Sequence, residues 1–314
     1  MFFYTVRRVI YAIPIALAVS LVCFMLVHIA PGDPIDAILP PDASAETVAM
    51  VRKDYGLDKP LPVQFGLWLG HVVQGDFGLS LANRRPVLNE LKVAASRTFI
   101  LASTAALLGF FIGCVLGGLA GVFRSTVVDR MAVGFAVGGI SVPHYWLGMV
   151  FVIVFSVVLG WLPSIGAGPG DWEWNWLHIR HLILPAVTLS VIPAGLVTRT
   201  VRGVVVEILS QDFITTLRGK GLRRLMLAIH VIKNAAPTSI AVMGLQLGYL
   251  MGGSILVETV FAWPGTGMLL NQAIFQRDIP VLQGTTLVLA MIFVTLNLVV
   301  DLVQTALDPR MRRA

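Results

Sequence analysis

Long apolar runs separated by short polar breaks dominate the chain. They lie at residues 9–29, 98–123, 131–160, 182–201, 238–260 and 282–307. A helix of about 20 apolar residues crosses the hydrocarbon core of a bilayer, so the pattern predicts six transmembrane helices. The first run follows Arg7 and Arg8, as in a secretory leader. It is longer than a leader's apolar core, and Pro31-Gly32-Asp33-Pro34 behind it is no small-residue cleavage site. It is read as a retained span.

Residues 31–97 interrupt this rhythm. Pro31, Pro34, Pro40 and Pro41 open the segment. A helix is expected over 44–55, ending at Gly56. A second is expected over 63–73 behind Pro60 and Pro62, then a turn at Gly75-Asp76-Phe77-Gly78. A further helix starts at Pro86 and runs into the second span. The segment has too few large apolar residues for an independent core, so it is expected to lie over the membrane block. The chain thus divides into an N-terminal span (1–30), this segment (31–97), a five-span core (98–307) and a tail (308–314).

A second polar break, residues 207–237, is basic: Arg218, Lys220, Arg223, Arg224 and Lys233 stand against Glu207 and Asp212. Ser210 or Asp212 can cap a short helix, and Gly221 can end it in the left-handed conformation. Phe213, Ile214 and Leu217 share one face of that helix. Leu222, Leu225, Met226 and Ile229 then repeat at helical spacing, with Arg223, Arg224 and His230 off the stripe. The pattern predicts two short amphipathic helices. They form either a docking surface or a pair lying in the lipid headgroups.

Glycine recurs every fourth residue in two spans, as Gly109, Gly113, Gly117, Gly121 and as Gly244, Gly248, Gly252. One glycine face lets a neighbouring helix backbone approach closely in lipid. The neighbour is either within this chain or on a second subunit.

Composition agrees with the pattern: 56% of residues are hydrophobic and 13% charged, and mean hydropathy is +0.83. Arg and Lys concentrate in alternate breaks. Arg7, Arg8, Arg124, Arg130, Arg199, Arg202, the basic loop and Arg310, Arg312, Arg313 fall on one side, and only Arg180 and Arg277 mark the short breaks on the other. The positive-inside rule then puts both termini in the cytoplasm. The net charge of +6 follows from topology, and no basic-aromatic surface suggests nucleic acid. Cys23 and Cys114 sit in apolar spans and read as small buried hydrophobes.

Catalytic and metal readings lack parts. Gly252-Gly253-Ser254 resembles a serine nucleophile turn, but no histidine follows it to act as base. His178 and His181 could hold a metal, though histidine at a membrane edge is the commoner case. No GxxxxGK[ST] phosphate loop exists, so the chain is not expected to hydrolyse ATP. Span interiors are almost free of ionisable groups, Asp301 being the exception, and an ion-driven carrier usually keeps such groups near mid-bilayer. Gln246, Asn297 and Gln304 are polar and uncharged. They bond between helices or line a passage, to which Tyr249 and Ser254 are also assigned. Transport energy would then enter from outside the chain.

Gly219-Lys220-Gly221-Leu222, with His230 and Lys233-Asn234-Ala235, resembles the cytoplasmic loop of ABC importer permeases of the dipeptide/oligopeptide/nickel group. PGDP at 31–34, GLDKPLPVQF at 56–65, GDFGLS at 75–80, LGWLP at 159–163 and ILPAVTL at 183–189 are similar to the B-type permease of that group. So are GLQLGYLMGGSILVETVFAWPGTG at 244–267, RDIPVLQG at 277–284 and DPR at 308–310. Residues 75–87 look most like the glutathione and dipeptide branches. The resemblance spans essentially the whole chain. It implies an all-α polytopic membrane protein of six transmembrane helices with the type I ABC importer permease fold, in the bacterial inner membrane.

It also implies partners: a homologous second permease, two ATPase subunits carrying ATP and Mg, and a periplasmic substrate-binding protein. No cofactor belongs to this chain, and the cargo would be di- or oligopeptides or glutathione-like peptides. The coupling role falls on Asp212, Phe213, Thr216, Arg218, Lys220, Gly221, Leu222, Arg223, His230 and Asn234. The chain departs from the family in having one residue fewer between Gly221-Leu222 and the histidine, and in Leu217 and Gly219 where alanine is usual. Nickel complexes or sugars are alternative cargoes. A lone ion-coupled carrier or channel, and a membrane scaffold, are alternatives of another class.

Overall fold

The computed structural model describes residues 2–29, 44–54 and 58–307. The PGDP motif, Pro40, Pro41, Gly56 and the tail 308–314 lie outside them. Among the described residues the regular structure is helical. Helices α1 (Phe2–Ile29), α2 (Ala45–Asp54), α3 (Leu61–Val73) and α4 (Val87–Val122) come first. They are followed by α5 (Val127–Ser141), α6 (His144–Phe151), which widens into a π-helix over Val152–Val158, and α7 (Trp176–Leu209). The chain continues as α8 (Asp212–Gly219), α9 (Arg224–Val260), α10 (Thr266–Gln276) and α11 (Ile279–Leu307).

Four of these, α4, α7, α9 and α11, are long and apolar enough to cross a membrane, and the bent pair α5–α6 brings the number to five if it acts as one broken span rather than a re-entrant loop. In α1 the described apolar run is Ile10–Met25, shorter than a full span. The run at 131–160, expected as one span, is two helices meeting at 101°. Pro143 is the cause. Its ring disfavours the helical conformation of the residue before it, and Val142 is extended (φ −89, ψ 126). Pro185 and Pro193 in α7 and Pro237 in α9 leave their helices unbroken, as membrane helices tolerate when neighbours re-satisfy the freed carbonyls.

The chain forms two compact units. The first contains Phe99–Trp263 and Leu296–Ala314 besides the first five residues. Its centre is α7, whose most apolar stretch is 67% buried. The glycine run of α4 packs on it: a Cβ at Gly109 would stand 2.8 Å from the Ser190 carbonyl oxygen, at Gly113 2.6 Å from Val197 Cβ, at Gly117 2.6 Å from the Thr198 carbonyl oxygen, and at Gly121 2.6 Å from Val205 Cγ1. The partner of this run is therefore within the chain. On another side of α7, a Cβ at Gly195 would lie 2.8 Å from the Ala136 carbonyl oxygen of α5.

The second unit joins Val6–Thr98 to Pro264–Thr295. The segment after residue 58 shares its core with this later stretch: Val87, Leu91, Ala273 and Val281 are buried together, with Phe77 against them. Phe24 of α1 meets Phe65 and Trp68 of α3 at ring-centre distances of 5.5 and 5.8 Å. Asp278, buried in the turn between α10 and α11, accepts hydrogen bonds from Ser80 Oγ (2.5 Å) and the Ala82 amide (3.2 Å). Thr98 and Thr266 add a buried hydroxyl pair at 2.9 Å. Helix α2 follows the expected 44–55 closely, and Ser44 Oγ accepts from the Thr47 amide. Helix α10 was not expected from the sequence.

Candidate coupling surface

The basic loop folds into one separate helix rather than two. Helix α8 starts at Asp212 with Gln211 at its cap and no side-chain capping bond. Ser210, a candidate cap, instead donates to the Glu207 carbonyl at 2.7 Å. The C-terminus closes as a Schellman turn. The Gly221 amide reaches the Arg218 carbonyl (2.9 Å), and the Leu222 amide reaches the Leu217 carbonyl (3.2 Å). Gly221 sits at φ +74, a conformation that glycine adopts without a Cβ penalty.

The expected second helix is the beginning of α9. From Arg223, its cap, the helix runs unbroken into the fifth span. The stripe Leu225, Met226, Ile229 is exposed, while Val231 and Ala235 turn inward. Helical spacing alone could not tell which of two apolar faces would find protein.

Helix α8 is held by its apolar face. Ile214, fully buried, joins Val197, Val201, Val205 and Ile208 of α7 with Val231 and Ala235 of α9, and Phe213 and Leu227 pack against the cluster. The outward side carries Asp212, Thr216, Arg218, Lys220, Gly221 and Arg223, all exposed, with Leu222 half-buried. His230 and Asn234 are exposed on α9, Asn234 Nδ2 donating to the His230 carbonyl at 2.8 Å. The result is a short basic prominence on a rigid apolar seat. Ile214 and Phe213 pack on the chain's own core, which leaves Leu217, itself half-buried, as the remaining large apolar residue of α8.

The other assigned residues are scattered. Gly244 packs against Val300 of α11, and Gly248 is buried, but a Cβ at Gly252 would meet no atom of the described residues within 4 Å. Gln246 is half-buried, with its Oε1 enclosed and without a hydrogen-bond partner. Tyr249 is exposed, whereas Ser254 is fully buried and donates to the Met251 carbonyl at 2.9 Å. Imidazole nitrogens of His178 and His181 bond loop carbonyls, Pro169 at 3.1 Å and Ile165 at 3.0 Å. Among the described residues no cluster of His, Cys, Asp or Glu could hold a metal.

Two charged features escaped the sequence reading. Glu258 lies in the fifth span and is fully buried, so that span is not free of ionisable groups. Asp129 and Arg202 pair on the first unit, Nε to Oδ1 at 2.5 Å and a terminal guanidinium nitrogen to Oδ2 at 2.9 Å. Arg202 was counted only as a topology signal, and Asp129 lay just outside the expected span. Opposite charges 73 residues apart carry no local spacing that would have joined them.

Comparison with known proteins agrees with this architecture. The family described as binding-protein-dependent transport system inner membrane component matches residues 109–313, and the N-terminal membrane component of such systems matches residues 1–99. The glutathione transport system permease protein GsiC of Salmonella paratyphi A is 41% identical over 310 residues, 98% of each chain. GsiC of Escherichia coli K12 is 40% identical over the same share. Among solved structures, two crystal forms of the MetNI methionine ABC transporter in inward-facing conformations share the fold. Their TM-scores are 0.57 and 0.58 at 22% and 20% identity, covering 69% and 70% of this chain and 96% of those chains. The chain belongs to the family of inner membrane components of binding-protein-dependent transport systems.

Proposed function

We propose that this chain is one permease half of an ATP-driven importer for glutathione-like or other small peptides. The second half is a homologous permease. Two ATPase subunits bind below, and a periplasmic substrate-binding protein delivers cargo from above. Both termini face the cytoplasm of a bacterial cell, across its inner membrane.

The observation that carries the reading is the seating of α8. A short helix with Ile214 fully buried cannot move without moving the ends of α7 and α9, and its polar side is free to meet another protein. Residues 212–234 then receive ATPase closure as a push on α8. ATP binding brings the two permeases' α8 helices together and opens the pathway outward, and hydrolysis resets it. Gln246 and Tyr249 are candidate pathway groups. The 40–41% identity to the GsiC permeases supports small thiol peptides as cargo.

The test is uptake of labelled glutathione and of a dipeptide into liposomes holding the four-subunit complex. Uptake is expected only with ATP inside and loaded binding protein outside. Flux through this chain alone, without ATPases, would replace the importer reading by that of a carrier or channel.

A further inference from the structure

The turn between α4 and α5 is closed by one carboxylate. Asp129, 5% exposed, accepts from the Ser125 amide at 2.9 Å, where Ser125 holds φ +66. The same carboxylate takes the two-pronged guanidinium of Arg202. Arg202 is also where α4 touches α7: a Cβ at Gly117 would lie 3.2 Å from its amide nitrogen and one at Gly121 3.2 Å from its carbonyl oxygen. Three helices therefore meet at one residue of α7. Six residues on, about 9 Å along the axis, Ile208 enters the cluster that seats Ile214 of α8.

Asp129 is buried but the Arg202 side chain is 30% exposed. Such a pair is a poor device for stability alone, since solvent screens its open side and well-packed apolar residues often do as well. A bidentate guanidinium–carboxylate fixes distance and angle together. We propose that Asp129 and Arg202 are positioning residues. Their clamp makes α8, the end of α7 and the foot of α5 one moving body, so that displacement of α8 reaches the 101° bend between α5 and α6. This rests on α8 being the coupling helix.

The experiment uses the assembled importer in liposomes with binding protein. Asp129→Asn keeps the shape but loses the charge, and Arg202→Lys keeps the charge but loses the fork. Both are expected to retain ATP hydrolysis without cargo, while cargo-dependent uptake per ATP falls about fivefold or more, the lower end of usual coupling factors. The reversed pair Asp129→Arg with Arg202→Asp restores a large part of it. Spin labels at Val128 and Ser210 should keep one separation in resting and ATP-trapped wild type, and two different separations in Asp129→Asn. Should Asp129→Asn assemble poorly, Arg202→Lys carries the same expectations. Normal uptake per ATP in either variant, or a wild-type separation that changes between states, overturns the clamp. Normal transport by Gly221→Val would instead sink the assignment of α8.

Discussion

Thr198 presents its carbonyl oxygen 2.6 Å from where a Cβ at Gly117 would stand. The obstacle is backbone, which cannot swing aside as a side chain can. Gly117→Leu should force α4 away from α7, at a cost of about 1–3 kcal/mol for overpacking, and lower the yield of folded chain measured by size-exclusion chromatography in detergent. Gly252→Leu should leave that yield unchanged, since among the described residues no atom lies within 4 Å of a Cβ there. A wild-type yield for Gly117→Leu would show that this crossing is looser than drawn. The four-residue glycine rhythm was legible in the sequence, and so was its meaning as close helix approach. The partner was not, because α7 announces itself only through the Ser190, Thr198 and Val197 positions that happen to meet the glycines. Asp278 teaches the same lesson: its bond to Ser80 spans 198 residues, and nothing near either residue signals the other.

Of the six spans read from the hydrophobic pattern, four are helices long and apolar enough to cross a membrane, up to five with the bent pair, and the departures fall where proline or continuity decided. Pro143 breaks its run because the residue before it goes extended. Pro237, Pro185 and Pro193 do not break theirs. One sequence rule thus gives two outcomes, and packing chooses between them. The basic loop went wrong in the opposite sense, because no residue after Arg223 stops α9 from being one helix with its span. Orientation remains a prediction of charge placement. In a background lacking Cys23 and Cys114, single cysteines at Ser44, Asp171 and Gln272 should react with a membrane-impermeant maleimide in intact cells. Cysteines at Ser125 and Ser210 should react only after permeabilisation. Protection of Ser44 with exposure of Ser210 would invert the topology and move α8 to the wrong side for any cytoplasmic ATPase.

For the molecule as a whole, the proposed function asks the first unit to be pushed. That unit has a two-thirds-buried strut, α7, gripped by α4 through glycines and by α5 through Arg202, and it ends in a short helix clasped between α7 and α9. On the proposed function, the push comes from separate ATPase subunits. The most direct measurement is ATP-dependent uptake by the complex carrying Gly221→Val. The position has φ +74, and among the described residues a Cβ there meets no atom within 4 Å beyond its chain neighbours. The damage within the chain is therefore confined to the turn, a backbone penalty of roughly 1–2 kcal/mol. Insertion and folding of this chain should be normal, while cargo-stimulated ATP turnover and uptake are lost; Glu207→Ala, at the loop's edge, should do much less. Wild-type uptake by Gly221→Val would mean that the force enters elsewhere and that α8 is not where the importer is driven.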